Sequence, residues 1–165
     1  TQPKLQELAA KRETLFGQTW LQRGSAVGAA VTYLLLLTGS LVTRTGASLA
    51  CPSFPLCGVA EIPESLQGLP TIQMIHRITA FTVAAVLILI IWQLLKNGRS
   101  SKTATWIAYG LSTLLILQFA LGISNVLLSL PLWSRILHLG VGGSIWVVMV
   151  ILAVTLGHDR FVQAR

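Results

Sequence analysis

Residues 74–95 read MIHRITAFTVAAVLILIIWQLL. As a helix this stretch rises roughly 33 Å, enough to cross the ~30 Å hydrocarbon core of a bilayer. Apart from His76 and Arg77 near its start it holds no ionisable side chain. An ionisable residue inside a membrane span is rare and costly unless it is partnered, so His76 marks a candidate functional position.

Three further stretches have the same character: Ser25–Val42, Ala104–Leu128 and Trp133–Leu156. Over the 165 residues, 53% are hydrophobic and 10% charged, with a mean hydropathy of +0.73. Soluble domains carry about 25% charge, so that class is excluded. The expected fold is an all-α integral membrane protein, an up-down four-helix transmembrane bundle joined mainly by short links.

The net charge of +7 is distributed as topology information. Lys4, Lys11, Arg12 and Arg23 precede the first span, Lys96, Arg99 and Lys102 lie between spans two and three, and Arg160 and Arg165 follow the fourth; only Arg44, Arg77 and Arg135 fall on the other side. The positive-inside rule then puts both termini in the cytoplasm, or in the matrix of a mitochondrion. The expected location is the bacterial cytoplasmic membrane or the mitochondrial inner membrane, with lipid as the surrounding partner and no nucleic-acid partner.

Residues 1–22 are expected to form a cytoplasmic-side amphipathic arm or linker, with Leu5, Leu8, Ala9 and Arg12 on one face. They carry no signal-peptide pattern, because charges break the apolar run. A start at Thr1 fits a processed product or a piece of a longer polypeptide. Residues 23–158 form the membrane domain, with an external loop at 43–71, and 159–165 a cytoplasmic tail. Trp20, Trp92, Trp106 and Trp133 fall near span ends, as interfacial anchors do, while Trp146 is mid-span and reads as packing. Gly24, Gly28, Gly39, Gly122, Gly140, Gly142 and Gly143 permit close helix contact. A faint repeat is visible: spans one and three end in glycine-containing stretches around Gly39 and Gly122, and spans two and four open with a histidine.

His138 is the counterpart of His76. One lies six residues after Pro70, the other seven after Pro131, so both sit roughly 10 Å inside their helices. Spans two and four run in the same direction, and both histidines enter from the outer rim. Beside them lie Thr79, Ala80, Val83 and Leu87 in one span, and Val141, Gly142, Ile145 and Met149 in the other, small residues first and apolar ones deeper. Two imidazoles at one depth can clamp a flat metal macrocycle as axial ligands of its iron; bis-histidine ligation suits electron transfer. The blander alternative is a pair of histidines hydrogen-bonded to neighbouring helices. Arg135, one turn before His138, and Arg77, next to His76, are candidate partners for the propionates of a haem, or interfacial arginines snorkelling to headgroups.

Cys51 and Cys57 frame Cys-Pro-Ser-Phe-Pro-Leu-Cys in the external loop, which also carries Pro52, Pro55, Pro63 and Pro70. The intervening prolines can curl the chain so that the sulfurs meet. The pair reads either as a structural staple or as a redox-active couple. Glu61 and Glu64 read as solvated loop residues and His158, beside Asp159, as an exposed cytoplasmic histidine. No catalytic residue is identifiable from the pattern.

The string Thr43-Arg44-Thr45-Gly46-Ala47-Ser48-Leu49-Ala50-Cys51-Pro52-Ser53-Phe54-Pro55-Leu56-Cys57, followed by Gln73-Met74-Ile75-His76-Arg77 and by Leu137-His138-Leu139-Gly140, resembles haem A synthases of the CtaA type. The resemblance covers all four spans. It implies oxidation of the C8 methyl of haem O to a formyl group, giving haem A for terminal oxidases. It also implies bis-histidine haem binding near the outer face and an external disulfide. Members of that family commonly have two similar four-helix halves, and the N-terminal half carries a glutamate three residues before its first histidine. Here that position is Gln73, and the cysteine spacing is also that of the C-terminal half, which is similar to a haem b-binding domain. An amide cannot act as a general base.

The expected function is therefore a haem A synthase or its haem b-binding half, with haem b as cofactor and haem O and haem A as substrate and product. A second four-helix half or a homo-oligomer is the expected partner. The rival is a haem b electron-transfer or accessory subunit of a respiratory complex or terminal oxidase. A quinone-linked disulfide generator would need a second cysteine pair, which the chain lacks.

Overall fold

The computed structural model describes residues 2–57, 68–97 and 102–163, with side chains left undescribed at 2, 3, 5, 8–18, 97 and 157–163. Glu61, Glu64, Pro63, Arg99 and Arg165, and the side chains of Leu5, Leu8, Ala9, Arg12, His158 and Arg160, therefore lie outside the described residues. The elements are α1 (Gln2–Thr45), a short 3-10 turn (Ala47–Leu49), α2 (Leu69–Asn97), α3 (Lys102–Leu127) and α4 (Leu132–Gln163). Each helix contains a segment long and apolar enough to cross a membrane: Thr19–Thr45, Leu69–Lys96, Lys102–Leu127 and Leu132–Leu156. The protein is a four-helix membrane bundle.

The boundaries lie a few residues from those expected. The first span is continuous with the segment before it, one helix over Gln2–Thr45, and the connection from α1 to α2 shortens to residues 46–68. Helix α1 stops at Gly46, whose φ of 77° takes the chain out of the helix. Helix α2 starts with Pro70 in its first turn, where a missing N–H costs nothing. Helix α3 ends in a six-to-one bond from Leu130 N to Asn125 O (2.9 Å) and a bond from Ser129 N to Val126 O (3.4 Å). This is a Schellman closure, with Ser129 at φ 54° where glycine is usual.

The helices close a ring: α1 packs on α2 and α4, and α3 packs on α2 and α4. Helices α2 and α4 therefore face each other across a diagonal, as do α1 and α3. The two ends of the ring differ. Toward Asn97 the interior is filled by Leu21, Leu87, Ile90, Leu94, Leu111, Met149 and Leu152. Toward the connection between α1 and α2 it opens into a cavity of about 530 Å³. Trp92, Trp106 and Trp133 are exposed near their helix ends, whereas Trp20 packs on the core and the Trp146 ring lies 5.7 Å from that of Tyr33.

Candidate functional site

His76 from α2 and His138 from α4 line the same cavity. Each rests on a glycine of the neighbouring helix. A Cβ on Gly39 of α1 would lie 3.2 Å from His76 Cε1, and one on Gly122 of α3 would lie 3.2 Å from His138 Cε1. The two glycine–histidine pairs are thus built alike on opposite sides of the bundle. Ala80, Val83 and Leu87 of α2 and Gly142 and Ile145 of α4 continue the lining inward. Thr79 instead bonds the Ile75 carbonyl of its own helix, and Met149 is buried in the filled end.

The polar partners of the two rings differ. The Thr38 hydroxyl lies 2.9 Å from His76 Nδ1 and donates to Leu35 O, also at 2.9 Å. With that hydrogen directed to Leu35 O, the hydroxyl can accept from Nδ1–H, the tautomer that leaves a lone pair on His76 Nε2. At His138 the amide nitrogen of Gln118 donates to Nε2 at 3.3 Å. His138 Nδ1, Gln118 Oε1 and Asn125 Oδ1 are buried without hydrogen-bond partners. Gln118, Gly122 and Asn125 recur at helical spacing, so α3 lays a polar stripe along the cavity where α1 presents Leu35, Gly39 and Val42. Ser134 of α4 donates to Leu121 O of α3 (3.3 Å), pinning the two helices beside Gly122.

Over the cavity lies the loop closed by the Cys51–Cys57 disulfide, with a Cα–Cα distance of 4.8 Å. Two α2 residues carry it. Gln73, 4% exposed, accepts from Cys51 N (2.6 Å) and donates to Ser48 O (2.8 Å). Arg77, 7% exposed, donates to Ser53 O (2.7 Å), Pro55 O (3.1 Å) and Cys51 O (2.8 Å), and its guanidinium lies 5.8 Å from the Phe54 ring centroid. Phe54, Phe81 and Phe119 then form a tilted file with centroid separations of 6.4 and 5.7 Å, one wall of the cavity. Arg77 thus lines the cavity while its N–H groups are directed to the loop. Arg135 and, unforeseen from the sequence, Arg44 are exposed residues on the cavity lining.

Among the described residues no group of three or more His, Cys, Asp or Glu gathers as a metal site. A metal at the histidine pair would have to bring its own equatorial donors, as a macrocycle does. The residues fit such a group: two imidazoles from diagonal helices, glycine backing, an apolar wall, and a volume within the ~300–1,000 Å³ usual for ligand pockets. Three orphaned polar atoms lie on that lining, and buried polar atoms without partners are few in folded proteins.

Sequence reasoning singled out both histidines and both cysteines. It missed Thr38, Gln118, Asn125 and Arg44. A polar residue within an apolar span was the available signal for the first three.

Fold and site define a multi-pass membrane protein whose bundle holds a histidine-lined cavity beneath a disulfide-closed loop. Residues 2–150 match the family of cytochrome oxidase assembly proteins, COX15-CtaA. The chain belongs to this family. Similar proteins include haem A synthases from Shouchella clausii (31% identity, 58% of this chain and 32% of the relative) and Geobacillus thermodenitrificans (36%, 65% and 33%). A third is that of Halalkalibacterium halodurans (33%, 66% and 36%). The match thus spans about a third of the length of these curated relatives.

Proposed function

We propose that this chain is a haem b-binding four-helix unit of haem A biosynthesis, with His76 and His138 as the axial ligands. It supports the oxidation of the haem O C8 methyl group to the formyl group of haem A. The observation that carries the reading is the pair of histidines from diagonal helices on one cavity, each set against a glycine of the adjacent helix. Bound there, haem b would supply one-electron redox chemistry. Thr38 keeps His76 Nε2 turned to accept a metal, and Arg135 and Arg44 provide cations for the propionates. Arg77 serves the same rim indirectly, holding the disulfide loop over it. The cavity end faces outward and both termini lie on the cytoplasmic or matrix side, in line with the charge distribution.

A second reading, a haem b electron-transfer or accessory unit without substrate chemistry, is favoured by one observation. Among the described residues lining the cavity there is no Asp or Glu, and both ends of the Gln73 amide are bonded to loop backbone. Proton transfer at a substrate would then fall to a second four-helix unit, with the glutamate that the family resemblance implies.

Expressing the full chain with a haem O source, alone and beside such a glutamate-bearing unit, and extracting the haems tests both. The proposal expects haem b with the purified chain and haem A only when the partner is present. A chain that purifies without haem contradicts it. Haem b without haem A in either setting leaves the accessory reading in its place.

A further inference from the structure

The two histidines are packed alike but held differently, and the difference has a chemical consequence that rests on the haem-binding proposal above. A histidine that ligates a metal usually has its other ring nitrogen hydrogen-bonded, which fixes the tautomer and the ring orientation. His76 is arranged this way: Thr38 Oγ1 holds Nδ1 at 2.9 Å. His138 is arranged the opposite way. Its Nδ1 has no partner, and Gln118 donates at 3.3 Å to Nε2, the same nitrogen that iron would take.

Gln118 has a prepared seat. A Cβ on Gly142, one turn beyond His138, would lie 3.0 Å from Gln118 Nε2. Only a glycine lets the amide rest there without displacement. The seat exists on one side of the bundle alone. The residue one turn before Gly39 in α1 is Leu35, which has no donor to offer His76, whereas the residue one turn before Gly122 in α3 is Gln118.

We infer that Gln118 competes with iron for His138 Nε2, making His138 the exchangeable axial ligand and His76 the permanent one. If the His138 imidazole stayed on the amide, a haem held by His76 would leave room on the α4 side for a small neutral ligand; if the imidazole moved to the iron, the amide would be released. One neutral hydrogen bond shifts such a balance by about two- to tenfold. Gln118 acts through His138 and is a positioning residue.

The test uses the purified, haem-loaded full chain. Haem content, ferric spin state and carbon monoxide affinity of the ferrous form are measured for wild type, Gln118→Leu, Gly142→Ala, His76→Gly and His138→Gly. Per mole of bound haem, Gln118→Leu is expected to weaken carbon monoxide binding about two- to tenfold and to raise the low-spin fraction. Gly142→Ala keeps the amide but pushes it off its seat, and moves both readouts the same way, so a folding defect peculiar to Gln118→Leu does not decide the matter. His138→Gly is expected to retain haem and to recover a low-spin spectrum with added imidazole, whereas His76→Gly loses most of its haem.

Unchanged carbon monoxide affinity in both Gln118→Leu and Gly142→Ala, with haem content and the wild-type low-spin signal intact, overturns the inference and leaves the haem site standing. Equal haem loss in the two histidine variants does the same. A spectrum indifferent to both histidine substitutions overturns the haem site itself, and the inference with it.

Discussion

Gly39 and His76 are in contact across the α1–α2 interface so closely that a single methyl group on the glycine would stand 3.2 Å from the imidazole Cε1. That separation is tighter than an ordinary van der Waals contact, so the ring must give by a few tenths of an ångström. Its Thr38 bond at 2.9 Å opposes that movement. Gly39→Ala is therefore expected to lower haem retention a few-fold, and Gly39→Val, branched at Cβ, to abolish it. Absorbance per mole of purified protein measures both. Full retention in the valine variant would mean that the His76 ring is not confined as described.

The loop over the cavity is fastened mainly from α2. Arg77 donates to three backbone carbonyls and Gln73 bridges Cys51 N and Ser48 O. Hydrogen bonds from a charged donor are each worth about 1.5–3 kcal/mol and do not add fully. Arg77→Met is expected to cost about 3 kcal/mol and to accelerate proteolysis within residues 50–57. Arg77→Lys recovers only part of this, because one ammonium cannot reproduce the guanidinium fork. Gln73→Glu keeps the acceptor for Cys51 N but sets a carboxylate against Ser48 O, and should cost about 1–3 kcal/mol. Denaturant titration in detergent, followed by tryptophan fluorescence, reads these losses. Wild-type loop proteolysis in Arg77→Met would exclude the fastening role.

A control lies at the filled end. A Cβ on Gly28 would come within 2.6 Å of Met149 Cε and 2.9 Å of Ile90 Cδ1, and both residues are fully buried, so these side-chain ends must repack within the core to admit it. Gly28→Ala is expected to destabilise the bundle by about 1–3 kcal/mol through overpacking. Gly110→Ala and Gly143→Ala, which meet nothing within 4 Å, should be neutral or stabilising by up to ~1 kcal/mol from helix propensity. Thermal melts of the three variants separate the two cases.

Hydropathy and charge made the four spans legible, because lipid demands a long apolar stretch in every crossing helix. The shared depth of His76 and His138 followed from their distance to Pro70 and Pro131. Even the faint repeat around Gly39 and Gly122 has a physical meaning, since those are the two residues on which the rings lie. What could not be read was the destination of a side chain that crosses between elements. Arg77 looked like a candidate for ligand carboxylates because it neighbours His76; only the path of residues 51–55 places three carbonyls around it. Thr38 and Gln118 were hidden for a related reason: helical periodicity assigns a face within one helix but does not say which residue of the adjoining helix that face meets.

The proposed site is a pair of imidazoles, His76 and His138, that would hold one haem iron inside the bundle. A reduced-minus-oxidised absorption spectrum of the purified full chain, set beside His76→Ala and His138→Ala, addresses it most directly. The wild-type protein is expected to give the sharp difference bands of a low-spin bis-histidine haem, and each substitution alone to abolish them. Identical low-spin bands in both variants would contradict the assignment.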